Sequence, residues 1–326
     1  MGPTFGENEI MMHKVGTVAV LGTVVLALAL SGCSINRLAV RVASNALTGT
    51  GEANVFMTDN DPELIAEALP FALKLYDTLL QQDPENDELL LSTGSAYVSY
   101  ANAFLQTPAN QLPPGEFERK ERMLERAKNL YLRGRAMTLK ALEVRHPGFM
   151  ENLENGDFAA ITSQTTREDV PYLYWSAAGW MGAFSTDPFD LDLGLSIKGA
   201  ASLMDRAYDL NPTFDEGAIH EFYISYYASL PAGLGGDRAK AREHFERAEE
   251  IADGKKASPY VSLATGVSIP EQNVSEFRDL MNKALAIDVE LYPEYRLINT
   301  IKQREAAWYL DSIERFFVVT EEEATS

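Results

Sequence analysis

The chain opens on one long apolar run and then changes character. Residues 15–30 are sixteen positions without a charge, preceded by Met11-Met12-His13-Lys14. A bilayer-spanning helix needs roughly 20 such residues, whereas the apolar segment of a signal peptide takes roughly 7–15. Sixteen lies nearer the signal. Residues 34–58 are polar, with Gly49-Thr50-Gly51 inside, and read as a tether. From residue 59 to 318 apolar positions recur at three- and four-residue spacing, and no stretch alternates with period two. This pattern predicts an all-α body. Asp61-Pro62-Glu63 supplies a cap and a first-turn proline. Helix stops stand at Asp83-Pro84, His146-Pro147-Gly148, Asn211-Pro212 and Asp253-Gly254.

The stops expose a repeat. At 12, 8 and 5 residues before Pro84, Pro212 and Asp253 stand Ala72, Tyr76 and Leu79; Ala200, Met204 and Ala207; and Ala241, Phe245 and Ala248. Before Pro147 the same positions hold Arg135, Leu139 and Leu142, a degenerate copy. Small residues let antiparallel helices approach, a large one fills the gap between pairs, and proline ends the helix. The pattern resembles the second helix of a tetratricopeptide (TPR) repeat. First helices are predicted over 87–104, with Leu90, Gly94 and Tyr97, over 171–184, with Trp175 and Gly179, and over 216–229, with Phe222 and Tyr226. Stops 63, 65 and 41 residues apart exceed the TPR period of about 34. The expectation is therefore stacked antiparallel hairpins in a TPR-like superhelical repeat with enlarged loops, such as 106–116 and 185–196.

Composition changes the picture at two points. The chain has 48 acidic and 28 basic residues, a formal net charge of -20. That argues against nucleic acid as a partner, since a phosphate-backbone binder needs clustered cations. The acidic surface suggests a protein partner with a basic patch rather than capture of a free organic anion. Cys33 is the lone cysteine, which leaves no intramolecular disulfide and no Cys-rich metal site. It ends Leu30-Ser31-Gly32-Cys33, which resembles a bacterial lipobox. Residues 1–32 are then a lipoprotein signal peptide, cut before a lipidated Cys33, and 33–58 the tether. Glu7 and Glu9 have the wrong charge for the start of a signal, so residues 1–10 read as a mis-assigned extension and Met11 or Met12 as the start. Ser34 is not the Asp of an inner-membrane retention signal. In a diderm bacterium this favours the outer membrane, periplasmic face. Residues 319–326 form an acidic tail.

Motifs for chemistry are scarce. His220-Glu221 lacks the second histidine of a zincin, and no P-loop, dinucleotide fingerprint or Gly-x-Ser-x-Gly is present. Gly233-Leu-Gly235-Gly236-Asp237 reads as a turn with Asp237 capping a helix over 238–252. His244, among Arg242, Glu243 and Glu246, reads as solvated. No enzyme activity, metal or cofactor is expected. Aromatic residues gather on the first helices, where TPR stacks present a concave surface. Tyr97, Tyr100, Tyr174 and Trp175 are candidate ligand or partner residues, as are His220, Tyr223, Tyr226 and Tyr227.

Several segments, in order, resemble one family. They include Ala68-Leu69-Pro70-Phe71-Ala72-Leu73-Lys74-Leu75-Tyr76, Arg145-His146-Pro147-Gly148-Phe149, Leu173-Tyr174-Trp175 and Ala218-Ile219-His220-Glu221-Phe222. They continue through Arg242 to Ala248, Pro259 to Ala264 and Lys283 to Asp288. Together they resemble the TPR-containing T component of TRAP transporters (TatT-type lipoproteins). The resemblance implies a periplasmic, lipid-anchored homo-oligomer that works with a TRAP substrate-binding protein and passes an organic-acid-like or other small solute. The competing expectation is a general TPR scaffold of cell-envelope assembly with no solute role. Cys33→Ser is expected to abolish incorporation of labelled palmitate and release the chain from the membrane fraction; undiminished labelling would contradict attachment at this residue.

Overall fold

The computed structural model describes residues 55–318. The signal segment, Cys33, most of the tether and the acidic tail lie outside the described residues. Within them the protein is all-helical, with no strand. Helix α1 (Pro62–Gln82) starts where Asp61 accepts the Leu64 N–H at 3.0 Å. Helix α2 (Asp87–Ala101) is capped in the same way by Asn86. Each cap satisfies one of the backbone N–H groups that a first helical turn leaves unpaired.

Residues beyond α2 differ from expectation. The chain does not leave the helix near 104 but continues as a π-turn (Asn102–Gln106) into the short α3 (Thr107–Gln111). Gln106 explains the continuation, accepting from the Tyr131 hydroxyl at 2.6 Å and donating to Ser185 at 2.8 Å. Of the predicted enlarged loops, 106–116 is therefore largely helical, and 185–196 is helix except for residues 187–190. Helix α4 (Phe117–Arg145) is the longest among the described residues, followed by the short α5 (Phe149–Glu154) and α6 (Phe158–Gln164). Then come α7 (Val170–Thr186), α8 (Leu191–Leu210), α9 (Phe214–Ser229) and α10 (Arg238–Ala252). Asp237 caps α10, and the preceding glycines form a turn.

The main pairs are α2 with α4, α7 with α8, and α9 with α10; α4 also packs along α7. Backbone contact between helices requires glycine. A Cβ at Gly134 would stand 2.6 Å from the Gly94 carbonyl oxygen, and one at Gly94 would stand 2.8 Å from that of Gly134. A Cβ at Gly179 on α7 would stand 3.2 Å from the α4 backbone at both Tyr131 and Arg135, a looser but still close approach. The small–large–small positions are all buried in the copies on α8 and α10, whereas in the copy on α1 only Tyr76 is buried and Ala72 and Leu79 are half-buried. In the degenerate copy Arg135 lays its guanidinium over Trp180 at 4.5 Å, replacing a small residue with a cation stacked on a ring.

A charged network ties α2, α4 and α7 at one end. Arg145 donates to Asp169 at 2.7 Å and Asp87 at 2.9 Å, and lies over the Tyr172 ring at 4.7 Å. Burial alone would raise the carboxyl pKa of the fully buried Asp169. The Thr166 N–H, Arg145 and His146 outweigh that effect and hold the pKa below its ordinary value.

After α10 the chain forms α11 (Ser258–Leu263), a second π-turn (Ala264–Ser268), α12 (Val274–Leu285) and α13 (Arg296–Asp311). Helix α13 returns to α1. Ile65, Leu297 and Ile301 are buried together, Arg304 pairs with Glu63, and the Leu297 N–H donates to the Met57 carbonyl at 3.0 Å. Gly134→Ala should cost about 2 kcal/mol, overpacking offset by roughly 1 kcal/mol of helix propensity. Gly115→Ala, whose Cβ would meet nothing within 4 Å, should stay within about 0.5 kcal/mol of wild type. Urea denaturation monitored by circular dichroism measures both.

Candidate functional site

The predicted first helix over 216–229 begins differently from expectation, and the difference builds the site. Asp215, Glu216 and Gly217 take consecutive left-handed conformations, with φ of 44°, 49° and 89°, so regular helix starts only at Ala218. Only glycine enters this region freely; each of the other two residues costs of order 1–3 kcal/mol unless its surroundings over-determine it. Lys256 does much of the holding. Its ammonium donates to the Asp215 carbonyl at 2.5 Å and lies 3.4 Å from both the Asp215 and Glu221 carboxylates. It also lies 5.0 Å from the Tyr295 ring centre. Neighbouring Lys255 pairs with Glu216 at 3.0 Å.

Lys256 is 5% exposed. Burial pushes its pKa down, but Glu221 and Asp215 together outweigh burial and the net direction is up. The ammonium is therefore charged, as a clasp needs. Ser258 donates to the other Glu221 oxygen at 2.6 Å. Tyr174 borders the site, its ring 5.3 Å from Phe214 and 5.2 Å from Trp175. Burial first, then Glu221 and Asp215, raise the Tyr174 phenol pKa and keep it protonated.

One turn along α9 stands an aromatic cluster. His220 Nδ1 lies 2.9 Å from His244 Nδ1, a hydrogen bond in which one ring donates and the other accepts. Tyr223 stacks on His244 at 4.6 Å, Tyr227 stacks at 5.6 Å, and Tyr208 stands edge-on to His220. The Tyr223 hydroxyl donates to Asp205. Tyr226 stacks on Phe222 at 6.0 Å. His244 is thus not the solvated residue its charged neighbours suggested, because the helix turns that face onto α9.

Of the sequence candidates, His220, Tyr223, Tyr226 and Tyr227 come together here, and Tyr174 with Trp175 adjoins the clasp. Tyr97 and Tyr100 lie elsewhere and are buried. The Tyr97 hydroxyl donates to Asp77 at 2.7 Å and receives Arg133 and Lys74, while Tyr100 packs on Phe104. Lys256 and the Asp215–Gly217 turn were missed. The available signals were the isolated Lys255-Lys256 pair just past the Asp253-Gly254 stop and a glycine one residue into a predicted helix. Among the described residues no three His, Cys, Asp or Glu side chains converge as a metal-binding set. The assembly offers half-buried aromatic faces and hydroxyls beside a cluster of two lysines and three carboxylates.

These features define an all-helical protein of paired helices with an aromatic and charged seam between its central hairpins. Comparison with known proteins places it more narrowly. Residues 58–317 match the family model described as TRAP transporter T-component. An uncharacterized protein of Treponema pallidum (strain Nichols) is 34% identical over 303 residues, covering 88% of this chain and 94% of that one. The chain belongs to the TRAP transporter T-component family.

Burial first, then His244 and Arg247, lowers the His220 pKa from 6.5 to about 4. The folded protein thus holds a neutral ring while the unfolded chain takes up its proton near the ordinary value. Stability should fall by about 3 kcal/mol as pH drops from about 6.5 to about 4, then level off for this group. In His220→Phe that share of the acid loss should vanish, as read from urea midpoints across the range.

Proposed function

We propose that this protein is the periplasm-facing accessory component of a TRAP-type uptake system, lipid-anchored through Cys33 to the outer membrane. It docks the system's periplasmic substrate-binding protein and passes an organic-acid-like or other small solute. Family membership over residues 58–317 carries this reading. The paired helices, with small–large–small positions buried on α8 and α10, support a TPR-like stack, a fold that presents extended surfaces to partner proteins. The apolar run and Leu30-Ser31-Gly32-Cys33 support the anchor. The half-buried Tyr226 and Tyr227 offer phenol faces suited to an amphipathic solute. Self-association into a homo-oligomer belongs to the same reading.

Affinity capture with the soluble Cys33→Ser form from periplasmic extract, with partners identified by mass, tests the docking role. The expected capture is a TRAP substrate-binding protein. Recovery of outer-membrane assembly factors alone would instead favour a scaffold with no solute role.

A further inference from the structure

Helix α4 runs against the charge of the rest of the molecule. Its 29 residues hold nine of the chain's 28 Lys and Arg and four carboxylates, on a chain of net charge -20. Arg119, Arg122, Arg126, Arg133 and Lys140 follow spacings of three, four, seven and seven, which place them in one stripe about 30 Å long. The buried residues Ala127, Tyr131, Gly134 and Thr138 lie on the opposite face, and all five cations are exposed. Arg119 and Arg122 make short-range surface pairs with Glu116 and Glu118, which are worth little. Arg133 donates to the Tyr97 hydroxyl at 3.2 Å. Among the described residues Arg126 and Lys140 have no ion-pair partner.

The C-terminal half of the stripe borders an open groove of about 560 Å³ between α1, α2 and α4. Leu80, Leu90, Leu132 and Met137 supply apolar surface, with Arg133 and Lys140 among its lining residues. Concave apolar surface with cations along one side is complementary to a segment with apolar anchors on one face and carboxylates beside them. A membrane surface would instead call for protruding apolar side chains between the cations.

We propose that the exposed face of α4, with its groove, is a docking surface for an acidic amphipathic segment of a partner protein. The whole-chain charge governs distant approach, while at contact the local sign governs. The assignment deepens the docking role proposed above and rests on it for the partner's identity.

Titration calorimetry of the soluble Cys33→Ser chain with the TRAP substrate-binding protein of the same organism tests it. The triple reversal Arg126→Glu, Arg133→Glu, Lys140→Glu should weaken binding at least tenfold and flatten its salt dependence. Arg247→Glu on α10 should not. Wild-type binding unchanged by the triple reversal overturns the α4 surface and leaves the docking role standing. Absence of wild-type binding removes the docking role, and a second arm then decides the surface. In that arm a synthetic helical peptide with Leu at one face and Glu beside it is followed by fluorescence anisotropy. Binding by wild type that the triple reversal loses supports the assignment. Absence of peptide binding overturns it, as does stripe-dependent binding to phosphatidylglycerol vesicles without peptide binding.

Discussion

Helices α2 and α4 meet backbone against backbone. Gly94, Gly134 and Gly179 remove the Cβ atoms that would hold α2, α4 and α7 apart, and every neighbouring contact assumes that separation. Tyr131 reaches Gln106 only because α4 lies so near α2 and because Gly182 leaves room for its ring. Arg145 can join Asp87 to Asp169 because the same three helices converge. The cost of dehydrating these charges is recovered only at hydrogen-bonding distances, so the network depends on the packing rather than the reverse. Helix α7, fixed by this contact, carries Tyr174 and Trp175 to the seam where α9 begins.

The second charged assembly works on the backbone. A buried ammonium between two carboxylates holds a run of left-handed residues that would otherwise relax into ordinary helix. The shift in register redirects every side chain that follows on α9. It is therefore upstream of the histidine pair and the stacked tyrosines, although it touches none of them directly. Geometry at the seam thus follows from a strained turn and the lysine that keeps it.

Helical periodicity and helix punctuation were plain in the sequence because they are local. Proline, glycine and capping Asp act within four residues, so the stops at Asp83, Asn211 and Asp253 and the start at Asp61 all stand where the pattern puts them. Gly94 marked the expected pairing of α2 with α4, whereas Gly179 proves to face α4 rather than its own hairpin partner α8. What depends on distant partners was not legible. The continuation through 102–111 needs Tyr131 and Ser185, and the turn at Asp215 needs Lys256, 41 positions away. His244 read as solvated because its sequence neighbours are charged, whereas its environment comes from α9. Tyr97 shows the converse: its aromatic type suggested a surface, and its hydroxyl is occupied by groups of α1 and α4.

The return of α13 to α1 alters the mechanics of the body. A row of stacked hairpins with free ends behaves as a one-dimensional array, able to fray from either terminus and to flex along its length like a spring. Here Ile65, Leu297 and Ile301 join α1 to α13, the first and last α-helices among the described residues, and the Arg304–Glu63 pair closes the same seam. Melting cannot then begin at an exposed end without also breaking a contact some 240 residues apart in the chain. Extension is resisted by the join as well as by the hairpins. A load applied to the hairpins is then shared with the seam between α1 and α13.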